Sequence, residues 1–193
     1  MTKQEFLQLA QRYPVAAAIK TPEDMRVALA SRALLLFILK GDGFELASFV
    51  AQAHRMGKGV VVHLDLVSGV GKDRAGIQYL HQIGVDAIIT SRSQLVSAGK
   101  AVGLVTIQRL LLADDSALDT GVRTIARAAP DIVEVLPGII FPEVAPILQQ
   151  LLAGPFIAGG FIRTAGDVAR IRAAGCILCS SSTYDLWHSA TKT

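Results

Sequence analysis

The chain has 193 residues and a formal net charge of +3, so it is mildly basic. Its mean hydropathy of +0.45 is high. However, its longest apolar run, residues 33–39, is far shorter than the roughly 20 residues that a membrane-spanning helix needs. The first residues also lack the apolar stretch of a secretory signal. We therefore expect one soluble domain, residues 1–193, located in the cytoplasm and without a membrane partner.

Eight apolar, strand-like runs alternate with helical segments along the whole chain. Signals for helix starts separate them: Thr21 precedes Pro22, and both Asp42–Glu45 and Thr164–Asp167 have capping-box spacing. Glycines at 57, 84, 103 and 175 predict helix ends. The predicted strands cover residues 15–20, 33–40, 59–66, 86–90, 103–110, 131–136, 155–160 and 176–181.

This alternation predicts an α/β fold, a compact (βα)8 TIM-type barrel. An open, doubly wound sheet is the alternative. The barrel is favoured because the strands are short, evenly spaced and eight in number. In both folds the carboxyl ends of the strands lie on one side, where ligands bind.

The ends of the last two strands are suited to a phosphate group. Gly159 and Gly160 end the seventh strand and remove the Cβ atoms that would keep a ligand from the backbone. A helix start at Thr164 and the hydroxyls of Ser180 and Ser181 follow. The alternative is that the glycines form a tight turn and the serines cap a helix. The combination favours an anion site.

Other polar residues fall at the ends of other predicted strands. His63 and Asp65 are two apart on the third strand and should face the same way, as a base with its partner or as ligand contacts. No third ligand at metal-site spacing accompanies them, so we expect no metal. Gln108 lies near the end of the fifth strand, and Glu134 is a further candidate acid or base.

Cations also collect at the predicted rim. They are Lys20, Lys40, Arg92, Arg109 and Arg163, and together they would attract an anionic ligand. The alternative is that the arginines pair with carboxylates such as Asp65 and Glu134, and both can hold together.

The remaining candidates are structural. Cys176 and Cys179 have CxxC spacing, but they lie in an apolar run without a second metal-binding pair, so we expect buried thiols. The arginines at 123, 127, 170 and 172 fall on predicted outer helices, and Asp119 is spaced to pair with Arg123. The charge pattern does not by itself indicate RNA binding.

Several blocks together resemble the glycerol-3-phosphate-responsive antiterminator family. They are residues 63–69, 90–93, 107–110, 134–138 and 157–164, in matching order and spacing over nearly the whole chain. One departure follows the last strand, where Thr183 stands in the place of the family's asparagine, although Ser182 fits the family's serine.

The resemblance implies a regulator that binds glycerol 3-phosphate and leader mRNA and prevents transcription termination in glycerol-use genes. It implies no catalytic residue and no cofactor, and it is compatible with a homo-oligomer. The RNA partner rests on the resemblance alone. The expected ligand contacts are His63, Asp65, Arg92, Gln108, Arg109, Glu134, Gly159, Gly160, Arg163, Ser180 and Ser181.

Two other classes of function compete with the regulator. One is a phosphate-handling barrel enzyme (an isomerase, lyase or synthase) that uses His63, Asp65 or Glu134 as acid or base. The other is a barrel kept as an interaction scaffold, which would bind no small ligand.

Overall fold

The computed structural model describes residues 1–188 and shows a closed barrel of eight parallel strands. Strands pair in chain order, and β8 pairs with β1, so the barrel is confirmed and the open sheet is wrong. The strands are β1 (Val15–Ile19), β2 (Leu35–Ile38), β3 (Gly59–His63), β4 (Ala87–Thr90), β5 (Val105–Leu111), β6 (Ile132–Leu136), β7 (Phe156–Gly159) and β8 (Leu178–Ser181).

Helices cover the outside of the barrel. They are α1 (Lys3–Arg12), α2 (Pro22–Ala30), α3 (Gly43–Arg55), α4 (Arg74–Gln82), α5 (Ser93–Ala101), α6 (Asp115–Ala128), α7 (Phe141–Leu151), α8 (Ala165–Ala173) and α9 (Tyr184–His188), with a 3-10 turn at Gly138–Ile140. No helix among residues 1–188 is long and apolar enough to cross a membrane.

The predicted helix signals mostly act as expected. Thr21 and Thr164 each form a capping box, with Asp24 and Asp167 as the reciprocal carboxylates. Asp42 caps α3 through the amide of Phe44, but no reciprocal bond from Glu45 is described. The four predicted stop glycines all have positive φ, which ends a helix at little steric cost.

Side chains alternate between two apolar layers because successive strand residues point to opposite faces. One cluster fills the barrel interior, with Phe37, Val61 and Ile107 among its members. The larger cluster lies between the strands and the helices. Phe6 and Ala10 of α1 belong to the interior cluster, so α1 closes the end of the barrel at which the strands begin.

The carboxyl-terminal part of the described chain packs back onto the first strand. Tyr13 donates its hydroxyl to the carbonyl of Leu186, and the buried Trp187 donates its indole N–H to the carbonyl of Ser181. Cys176 and Cys179 are buried free thiols, as predicted. The neighbouring Cys176 and burial both raise the pKa of the Cys179 thiol.

Candidate functional site

An open pocket of about 640 Å³ lies at the carboxyl ends of the strands, between β1 and β5–β8. Its walls combine cations, hydroxyls and bare backbone. The lining residues are Ala18, Lys20, Leu39, Arg109, Glu134, Leu136, Gly159, Gly160, Phe161, Ile162, Arg163, Ser180, Ser181, Ser182 and Thr183. Seven of the eleven predicted ligand contacts therefore line this pocket. Its charged side chains are three cations, Lys20, Arg109 and Arg163, and one carboxylate, Glu134.

An ion pair forms the floor of the pocket. Arg109 Nε donates to Glu134 Oε2 at 2.7 Å, and the two side chains are only 14% and 1% exposed. The registers of β5 and β6 place the two residues directly opposite one another. One rim arginine is thus paired, as the alternative interpretation proposed, while it still lines the pocket.

Gly159 and Gly160 are required for different reasons, the first for space and the second for its backbone conformation. A Cβ on Gly159 would lie 2.9 Å from Glu134 Oε1, so its absence makes room for the carboxylate. Gly160 has φ +91°, a conformation that side chains disfavour. Phe161 follows at φ +60° and is 66% exposed, so the turn presents an aromatic ring at the pocket edge. Phe161 could not be recognised from the sequence, because a lone aromatic residue after a glycine pair is not a distinctive pattern.

Three backbone amides at the start of α8 are already bound by the helix's own capping groups. Asp167 accepts from the amides of Arg163 and Thr164, and the Thr164 hydroxyl accepts from the Asp167 amide. An anion in the pocket would therefore meet the exposed Arg163 and Lys20 side chains rather than these three amides.

Adjacent serines of β8 have different roles. Ser181 donates its hydroxyl to the carbonyl of Ile162 and accepts from the amide of Thr183, which holds the two loops together. No hydrogen bond of the Ser180 hydroxyl is described within residues 1–188, and Ser180 lines the pocket. Thr183, the residue that departs from the family pattern, also lines it.

The other four predicted contacts lie outside the pocket lining. Strand β3 ends at His63, so Asp65 belongs to the following turn and the expectation of one shared strand face is wrong. Asp65 accepts from the Thr90 hydroxyl and the Ser91 amide and lies 3.4 Å from Arg92. Gln108 donates to Ser93 at the start of α5, away from the barrel axis.

His63 is buried at the upper layer of the barrel interior, only 2% exposed. Neither ring nitrogen has a hydrogen-bond partner within residues 1–188. Burial, together with the positive charge of Arg109, lowers its pKa to about 4. The imidazole is therefore neutral at pH 7.

No group of three or more histidine, cysteine or acidic side chains among residues 1–188 is arranged to hold a metal ion. The pocket is instead suited by its cations and hydroxyls to a small anion with polar substituents. Fold and pocket together define a TIM-type barrel with a cation-lined pocket at the rim where such barrels bind their ligands.

Comparison with known proteins identifies the particular family. Residues 15–187 match the glycerol-3-phosphate responsive antiterminator model, and the chain belongs to this family. It is similar to the glycerol uptake operon antiterminator regulatory protein from Listeria monocytogenes, with 34% identity, a TM-score of 0.83, and coverage of 90% of this chain and 94% of the other.

Two further relatives extend the likeness. An antiterminator-related protein from Thermotoga maritima is 27% identical, with a TM-score of 0.80 over 91% of this chain and 98% of the other. The uncharacterized protein YgcP of Escherichia coli (strain K12) is 28% identical over 97% of this chain and 98% of its own.

Proposed function

We propose that the protein senses glycerol 3-phosphate in the rim pocket and, when loaded, binds leader mRNA and prevents transcription termination in glycerol-use genes. The observation that supports the ligand is the pocket with three cations, one carboxylate and free hydroxyls, in a chain of this family. Arg163 and Lys20 would bind the phosphate, since charge-assisted hydrogen bonds are the strong ones. Ser180 and Glu134 would bind the hydroxyls.

The same geometry gives less support to the alternative, an enzyme using acid–base catalysis. Glu134 already accepts a hydrogen bond from Arg109 and has little solvent exposure. His63 and Asp65 lie outside the pocket lining, and Asp65 is held by three neighbours. A proton-transfer group must be within hydrogen-bond reach of the atom it serves.

We expect glycerol 3-phosphate to raise the melting temperature and to tighten binding of the protein to its own operon leader RNA, with glycerol doing neither. A ligand that binds only the folded state stabilises it by mass action. By linkage, RNA must tighten ligand binding by the same factor. Thermal melts and reciprocal titrations measure both. Chemical turnover of glycerol 3-phosphate, or no RNA binding with saturating ligand, would contradict the regulator.

Arg163→Ala should weaken glycerol 3-phosphate binding by about 1.5–3 kcal/mol, roughly 10- to 150-fold, because a hydrogen bond to a charged group is lost. Arg170→Ala is the matched control. It removes the same charge from the neighbouring helix, where Arg170 pairs with Glu143 at the surface, and should change binding by a few tenths of a kcal/mol. Calorimetric titration of both variants with glycerol 3-phosphate measures the two losses of affinity. Equal losses would mean that Arg163 contributes only its long-range charge.

A further inference from the structure

Charge is distributed unevenly between the two ends of the barrel. Within residues 1–188, eight lysine and arginine side chains and the terminal ammonium lie where the strands begin, among only three carboxylates, those of Glu5, Asp86 and Asp131. At the opposite rim, the loops after the strands and the first helical turns of the same residues contain six such cations and eleven carboxylates. Outside the pocket itself, the rim is therefore acidic, whereas the other end is basic.

Six of the cations at the basic end are exposed to solvent. We call this set the basic face, and it consists of Lys3, Arg12, Arg32, Arg55, Lys100 and Arg127. Helix α1 contributes the first two, because Phe6 and Ala10 anchor it across this end of the barrel. Lys3 and Arg12 are nine residues apart, which is about 14 Å along the helix axis.

Most of this charge is not neutralised by neighbouring side chains. Within residues 1–188, no ion pair or side-chain hydrogen bond is described for Lys3, Arg12, Arg55 or Arg127. The three carboxylates of this end mainly bind other groups. Glu5 caps α1, and Asp86 binds His54 and the terminal ammonium. Asp131 binds the Thr106 hydroxyl and also lies 3.9 Å from Lys100, which is the one member of the basic face with a described ion pair within residues 1–188.

Helix dipoles are one reason for the separation of charge, since cations are stabilised at the carboxyl ends of helices. The negative partial charge at a helix carboxyl end would itself repel an anion, but its effect fades within the last turn. Long arginine side chains extend beyond that turn. An approaching polyanion therefore meets guanidinium and ammonium groups first. Beside them, a groove of about 210 Å³ between the start of α1 and β5 is lined by Lys3 and Lys100, with Asp131 as its one acidic side chain.

We infer that leader RNA binds the basic face, at the end of the barrel opposite the glycerol 3-phosphate pocket. The inference rests on the proposed function for the identity of the RNA. Phosphates supply most of the affinity of such complexes, and they are attracted to the basic face and repelled by the acidic rim. The pocket at the rim thus stays free for its small ligand while RNA is bound.

The test combines Arg12→Gln, Arg55→Gln and Arg127→Gln in one variant. Binding of the protein's own operon leader RNA is measured at several salt concentrations with saturating glycerol 3-phosphate. For single strands, each lost phosphate contact reduces the salt slope by about 0.7. We expect the slope to fall by about two and the affinity to fall about 10- to 50-fold at 0.15 M salt. Melting temperature and glycerol 3-phosphate affinity should match the wild type.

A second triple variant controls for net charge. It removes three arginines from outer helices by the substitutions Arg26→Gln, Arg123→Gln and Arg170→Gln. Arg26 pairs with Glu23, and Arg170 pairs with Glu143. Arg123 binds Thr120 rather than the predicted Asp119. This variant should retain most of the RNA affinity. If both variants bind RNA like the wild type, the basic face is not the RNA surface and the proposed function stands. If the wild type itself binds no RNA, the proposed function fails first.

Discussion

Glu134→Leu should lower the free energy of unfolding by about 3–5 kcal/mol, because it leaves the Arg109 guanidinium in the barrel without its partner. The pair is short and largely buried, with a 2.7 Å contact between Arg109 Nε and Glu134 Oε2. A guanidinium does not escape the cost by losing its proton. Denaturant unfolding at pH 7 measures the loss.

The double variant Arg109→Met/Glu134→Leu distinguishes the contribution of the ion pair to stability from its contribution to ligand binding. Removing both charges together should restore most of the lost stability, because a buried pair and a well-packed apolar replacement are often similar in energy. Glycerol 3-phosphate binding should nevertheless fall in the double variant, since a pocket cation and a hydroxyl acceptor are gone. A double variant as unstable as Glu134→Leu would show that the loss comes from packing around Gly159 rather than from the unpaired charge.

In the wild type, His63 should lower the free energy of unfolding by about 3 kcal/mol as the pH falls from 7 to 4. His63→Leu should remove this pH-dependent loss. In the folded wild type the imidazole stays neutral until its pKa of about 4. In the unfolded chain it binds a proton near pH 6.5. The unfolded state therefore gains protons first, and the free energy of unfolding falls as the pH drops through this window. The variant should show a flatter curve in the same range.

Gln108→Leu is the control for that comparison. Gln108 is also buried, and its carbonyl oxygen has no hydrogen-bond partner within residues 1–188, but its amide does not titrate. Its replacement should shift the stability by a similar amount at every pH. A His63→Leu variant that keeps the full acid sensitivity of the wild type would mean that other groups cause it.

The barrel could be predicted because the periodic signal was repeated eight times. Apolar runs, caps such as Thr21 with Asp24, and stop glycines all indicated the same alternation. The alternative interpretation, that rim arginines pair with Asp65 and Glu134, is confirmed for Arg92 and Arg109. It could not decide which arginine belonged to which carboxylate, because that depends on the register between strands.

Part of the candidate set could have been sorted further by strand geometry. Gln108 and Arg109 are adjacent in β5, so they cannot both face the barrel interior, and the same applies to Ser180 and Ser181 in β8. The separation of His63 from Asp65 depends on where β3 ends, and strand ends are the least predictable feature of a sequence.

The position of Trp187 suits it as an intrinsic fluorescence probe of the pocket. It is the sole tryptophan in the sequence, and its indole N–H is bonded to the carbonyl of Ser181, one residue from Ser180 and Ser182 in the pocket wall. Tyr184 lies 4.7 Å from it between ring centroids. A ligand that rearranges the end of β8 would change the polarity around this indole and its distance from the tyrosine donor. We expect such a rearrangement to change the emission intensity and the tyrosine-sensitised excitation of Trp187, so that ligand binding could be measured without attaching a dye.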